Sequence, residues 1–331
     1  MKKIVLGLAT FTCLTCLAGP AARAADPPEP ASEEAPPPPP PPPRAALAEL
    51  GVFIVPWGDA YVRSALGASF RYEAPLIRKP GILWDTTTVA VGVRDIYGYV
   101  NNSLQPYVEI TPIAFFKVQA SFGYETFIRA PFDGGVRVLT PLGEQRLAAG
   151  QLERNNRDAV DWAGFGGEGV AINNRDNFTA PVFGQGFRPR LAPTLQAKLG
   201  PIAVQYNFTV DWSFFYGGGH GRDAIVHDTF AFTLRKMHDV GFTHEGILVF
   251  DVPGVKDTIR IGAVARHYRV QGTGLERLET VGLLYYRPGS PWIGDSGTPW
   301  FAGQFGTNPV DPMHPWDFNW VLALGLDFRL L

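Results

Sequence analysis

From residue 46 onward, apolar and polar residues alternate almost one for one. Over 201–216, Ile202, Val204, Tyr206, Phe208, Val210, Trp212 and Phe214 fall on one face. Ala203, Gln205, Asn207, Thr209, Asp211 and Ser213 fall on the other. A period of two is the signature of a β-strand with two unlike faces. The pattern recurs over 117–129, 188–199 and 316–331, so the chain reads as all-β. It predicts twelve strands, over 46–55, 60–73, 84–97, 103–113, 115–129, 188–199, 201–216, 226–236, 243–252, 257–270, 276–288 and 316–331.

Alternation alone also suits a soluble sandwich with one wet face. Three features point instead to a transmembrane, antiparallel, up-and-down barrel. Most runs exceed the roughly 5 or 6 residues usual for a strand. The polar face holds many small residues, as a curved inner wall requires. Trp212, Phe214, Tyr285, Phe318, Trp320 and Phe328 put aromatics near strand ends on the apolar face, where aromatic girdles flank a lipid-facing belt. Lipid tolerates no unpaired sheet edge, so such a sheet must close. With both termini periplasmic, the tight connections fall after the fourth and sixth strands. The long connections 130–187, 217–225 and 289–315 then fall outside, the usual polarity.

The N-terminal residues follow other rules. Lys2 and Lys3, the apolar run 4–17 and Ala22-Arg23-Ala24 have the three-part form of a cleavable signal peptide, 1–24. The run is short of the roughly 20 residues of a spanning helix. Residues 25–45 form a proline-rich periplasmic linker, in which the eight prolines Pro36 to Pro43 make a stiff polyproline rod. It could act as a spacer, a disordered tether or a periplasmic contact.

The composition fits this division. Among 331 residues, charged residues are 18% and aromatics 13%, with 37 Gly and 30 Pro. Net charge is −2, which argues against a nucleic-acid partner bound through an overall basic field. Mean hydropathy is zero, which excludes a bundle of membrane helices. Both cysteines, Cys13 and Cys16, lie in the leader, so neither a disulfide scaffold nor a cysteine-zinc module is expected.

The chain resembles the Gram-negative outer-membrane β-barrel proteins over about 46–331, most specifically in its last strand, WVLALGLDFRLL. Apolar residues recur there at alternate positions, as in the terminal signal read by barrel-assembly machinery. The departure is that such strands usually end in Phe, whereas this one ends in Leu330-Leu331. The resemblance implies residence in the outer membrane, contact with its lipids and assembly by that machinery. No subfamily of channel or porin is singled out.

Parity places Arg63, Arg71, Arg94, Lys117, Arg129, Arg188, Arg190, Lys198, Arg235, Arg260, Arg266 and Arg329 inside the barrel. Glu73, Glu109, Glu125, Asp211, Glu245, Asp251, Asp317 and Asp327 share that side. These charges either line a passive channel for small polar or anionic solutes or fill a narrow lumen as salt bridges. The 130–187 loop contains a possible short helix, and it offers Arg154, Arg157, Asp158, Asp161, Arg175 and Asp176 as constriction residues. Trp292, Trp300 and Trp316 could stack on sugars.

A second function is a non-conducting structural or surface-interaction barrel acting through its outer loops. A third is an outer-membrane lipid hydrolase, but His220, and His227 with Thr229, form no recognisable Ser-His constellation. No catalytic residue, metal site or cofactor is therefore assigned: the six histidines lack metal spacing, and the Asp-containing loops lack an EF-hand pattern.

Overall fold

The structure is a computed structural model. It describes residues 47–57, 61–76, 87–98, 101–128, 135–152, 176–228, 233–255, 257–292, 294, 297–310 and 318–329. Residues 1–46, with the expected signal peptide and proline rod, lie outside the described residues.

Twelve strands close into one antiparallel barrel. In chain order they are β1 (Leu47–Trp57), β2 (Tyr61–Pro75), β3 (Thr88–Gly98), β4 (Asn101–Ile113), β5 (Phe116–Phe127), β6 (Gly184–Leu199) and β7 (Ile202–Gly217), then β10 (His238–Asp251), β11 (Thr258–Val270), β12 (Glu276–Arg287), β13 (Gly297–Val310) and β14 (Phe318–Arg329). Each pairs with its neighbours in sequence order, and β1 closes the ring against β14, with Leu47 opposite Arg329. The remaining strands, β8 (Ile225–Asp228) and β9 (Thr233–Lys236), form a separate two-stranded sheet. Among the described residues one helix, α1 (Pro141–Ala148), interrupts the connection between β5 and β6.

The expected faces are present. On β7, Ala203, Gln205, Asn207, Asp211 and Ser213 are buried inside the ring. Val204, Tyr206, Phe214 and Tyr216 are exposed on the outside. Exposed Leu248, Phe250, Ile261, Leu284 and Leu324 continue this outer apolar surface. An exterior of this kind is stable only against another apolar phase.

The wall has the expected twelve strands, but one of them is not where the alternation predicts it. The 226–236 run is not a wall strand but the β8–β9 hairpin. The missing wall strand is β13, inside the expected 289–315 loop, where it pairs with both β12 and β14. The correction moves the later loops. Call the end where Leu47 meets Arg329 the near end. Connections 252–257 and 288–296 then lie at the near end, and 218–237 and 311–317 at the far end with 128–183.

Candidate functional site

The two long far-end connections fold together into a cap. Thr140 caps α1, its Oγ1 accepting from the Gly143 N–H at 3.0 Å, and Pro141 opens the helix where a missing N–H costs nothing. This is the short helix expected in the loop. Bridges Val136–Val182, Leu139–Phe178 and Val138–Val226 tie the β5–β6 connection to itself and to the β8–β9 hairpin. Phe127 and Phe215, the inward residues at the far ends of β5 and β7, pack with Val136, Val138, Val226 and Met237. Leu139, Leu152, Phe178 and Leu234 form a second apolar cluster, against which Leu275 packs from the turn after β11. The cap thus spans the mouth from β5 to β11.

Beneath it lies a buried ionic nest. Arg235 of β9 donates to Asp211 of β7 at 2.7 Å, to Asp228 of β8 at 3.2 Å and to the Tyr268 hydroxyl of β11 at 2.9 Å. Arg188 of β6 donates to Asp228 at 2.8 Å and to Glu125 of β5 at 3.1 Å. Arg190 reaches Glu125 at 3.4 Å. Both Arg188 and Arg235 also lie over the Phe215 ring, 5.1 and 6.0 Å from its centroid. Three guanidinium groups therefore meet three carboxylates, and the charges cancel. At the solvent edge of the hairpin Lys236 donates to Asp223 at 2.9 Å. That hydrogen bond and charge lower the Asp223 carboxyl and raise the lysine ammonium.

The rest of the interior divides by wall. Within β10–β14, Arg266 bridges Glu245 and Glu279, and Arg277 donates to Asn308 at 3.2 Å. Nearer the near end, Ile247, Val249, Val264, Val281, Leu283, Tyr285, Trp300, Ala302 and Ala323 form an apolar cluster. This corrects the expectation of a uniformly polar interior. Tyr285, assigned above to the outer face, points inward, and Trp300 is buried inside the barrel rather than displayed on a loop. Trp292 is exposed, and Trp316 lies outside the described residues. At the rim, Asp251 joins Lys198 at 2.5 Å and Arg260 at 2.7 Å, and Arg287 joins Asp327 at 3.3 Å.

The β2–β6 wall carries the remaining charges. Arg71 donates to Glu73 and Glu109, each at 2.9 Å, and Lys117 stands 3.8 Å from Glu109. Arg94 donates to Gln105 at 3.2 Å and lies over the Tyr107 ring, 5.4 Å from its centroid. Unlike the apolar cluster, this wall keeps water access: the Arg71 and Arg190 side chains are 23% and 24% exposed.

Arg71, Arg94, Glu109, Lys117, Glu125, Arg188, Arg190, Lys198, Asp211, Arg260, Arg266 and Asp327 stand on the inner side of their wall strands. Arg235 needs correction: it reaches the interior from the hairpin, not from a wall strand. Arg63 and Arg329 keep positions on β2 and β14, but their side chains lie outside what the structure describes. So do Arg129, Arg154, Arg157, Asp158, Asp161, Arg175 and Asp317 entirely. Asp176 is exposed, and its backbone carbonyl accepts from the Thr140 hydroxyl, so its ordered role is to hold the cap. Sequence reading overlooked Asp228, Tyr268, Tyr107 and Gln105. The alternation along 103–113 could have found the last two, which share a face with Glu109.

No protein-family model and no curated protein matches the chain. Among solved structures it is similar to the β domain of the Bordetella autotransporter BrkA, with 9% identity and a TM-score of 0.42 over 86% of this chain and 99% of that one. The translocator domain of NalP from Neisseria meningitidis gives 10% and 0.38 over 86% and 88%. An outer membrane channel from Pseudomonas putida F1 gives 10% and 0.39 over 89% and 99%. At these values the function of none of them passes to this chain.

Proposed function

We propose that the chain is an outer-membrane barrel that passes small polar or anionic solutes along its β2–β6 wall, with the cap narrowing the far mouth. The membrane placement rests on the exposed apolar exterior of a closed sheet, which leaves no edge for lipid to meet. The path rests on one observation: the β10–β14 interior is packed with buried apolar side chains, whereas Arg71, Arg94 and Arg190 of the facing wall stay partly exposed. A lumen lined on one side by arginines favours anions.

Single-channel recording on the purified chain in planar bilayers tests this. Conductance steps are expected, with a reversal potential in a KCl gradient displaced toward the chloride value. A variant with the cap loosened, Arg235→Ala, should conduct more. If neither protein conducts, the channel reading fails. The closed cap over its ionic nest also favours a second reading, a non-conducting barrel that presents its far-end loops to a surface. Deleting 135–183 would then abolish that binding while leaving heat-modifiable migration intact.

A further inference from the structure

We propose that Arg94, Gln105 and Tyr107 form a binding site in the lumen for the carboxylate of a small organic anion. The proposal rests on the channel reading and names the solute class that the path would select.

Arg94 differs from most other inward arginines in its partners, and from the buried Arg277, which also donates to a neutral amide, in being partly exposed. Arg71, Arg188, Arg190, Arg260, Arg266 and Arg287 each have a carboxylate within salt-bridge distance. Arg94 is partly exposed and has no carboxylate within that distance among the described residues. Its one hydrogen bond there goes to a neutral amide, the Gln105 Oε1. The other N–H groups of its planar fork stay available for a two-point contact with a carboxylate.

Gln105 supplies the second, independent sign. Its side chain is only 6% exposed, and its Nε2 makes no hydrogen bond among the described residues. A buried amide donor without an acceptor is unfavourable. Because Arg94 occupies the oxygen of this amide, the orphaned nitrogen belongs to the same small cluster. An oxyanion held by Arg94 is the acceptor that this donor lacks.

Tyr107 positions the guanidinium. Its ring lies flat on the β3 wall beneath the guanidinium, and it can do so only because residue 92 is glycine. A Cβ there would stand 2.5 Å from both the Tyr107 Cζ and its Oη. With Gly92 on one side and the guanidinium on the other, the ring is only 6% exposed, and it backs the Arg94 fork through a cation–π contact.

The test uses the full chain in planar bilayers, with potassium chloride, potassium acetate and potassium benzoate as probes, and the variants Arg94→Gln, Arg94→Lys and Gly92→Ala. Acetate and benzoate should both bind in transit and interrupt chloride current. Arg94→Gln should weaken that block by about tenfold or more, the loss expected for a charge-assisted contact. It should also lower anion preference. Arg94→Lys should keep much of the preference but lose most of the benzoate block, and Gly92→Ala should weaken the block by displacing Tyr107. Heat-modifiable migration identifies any variant that fails to assemble. An anion-selective channel whose selectivity and benzoate block survive Arg94→Gln overturns the site and leaves the channel standing. If the chain does not conduct, calorimetric titration of benzoate into detergent-solubilised protein decides the site alone. Binding lost in Arg94→Gln supports it, and binding absent or unchanged overturns it.

Discussion

Replacing Arg235 with alanine is expected to release the cap. The substitution leaves Asp211 and Asp228 buried with one cation fewer, so the neutral nest gains a net negative charge in a place with little water. Breaking a buried ion pair from one side costs about 3–5 kcal/mol, because the orphaned charge has no solvent to turn to. The barrel has ladders along both sides of each wall strand, whereas the cap is joined to it by two short apolar clusters, this nest and a few hydrogen bonds such as that from the Thr273 hydroxyl to the Leu234 carbonyl. The cost should therefore fall on the cap, raising its open fraction by about 100-fold or more. Limited proteolysis in detergent measures this directly, since cleavage follows the open population when reclosing is fast. Faster cutting within 135–183 and 218–237, with the wall strands untouched, is the expected pattern. The control is Arg235→Met combined with Asp211→Asn, which removes one charge of each sign, keeps the nest neutral and should recover much of the protection. Cutting at the wild-type rate in Arg235→Ala would show that the apolar clusters alone hold the cap.

Trp300→Ala should produce the largest loss of stability inside the barrel wall. Trp300 is buried in the apolar cluster and lies against Gly325 of β14, where an added Cβ would come within 2.3 Å of the indole. Removing a buried large aromatic costs about 3–5 kcal/mol, part transfer and part cavity. The urea midpoint for unfolding in detergent should fall accordingly, while Trp300→Phe should cost less. If the packed side blocks the lumen, single-channel conductance of Trp300→Ala should rise at the same time. Adding Gly325→Leu to Trp300→Ala returns apolar volume to the same space, and should lower conductance again and restore part of the midpoint. An unchanged midpoint in Trp300→Ala would mean that the cluster packs too loosely to matter.

Strand direction explains why so much of the wall was readable. On 201–216 the chain must show one face to apolar surroundings and one to the interior, so each residue reports its own side, and Gln205, Asp211 and Tyr206 were placed by parity alone. The same rule put Arg188 and Glu125 inside, and Gly200-Pro201 marked a tight turn without any tertiary information. Two stretches broke the rule for identifiable reasons. The β13 strand carries Gly297, Pro299, Gly303, Gly306 and Pro309, residues that normally end strands. Its position is held by ladders on both sides and by Trp300, and none of these is a local signal. In 225–236 the local pattern is good strand, and only pairing decides whether it crosses the wall or folds on itself as two strands of 4 residues each.

The sequence by itself determined the all-β class, the closed antiparallel wall and the side on which most charges stand, because strand alternation is a local property that the surroundings on each face impose. The tertiary structure decided which inward charges meet. Arg235 reaches Asp211 across 24 positions through a cap that no periodicity foretells, and Arg188 reaches Glu125 across 63 between two paired wall strands. It also decided that an apolar cluster packs part of the interior while Arg71, Arg94 and Arg190 of the facing wall stay partly exposed. Parity says that a side chain points inward, and only the closure of the ring says what stands opposite it.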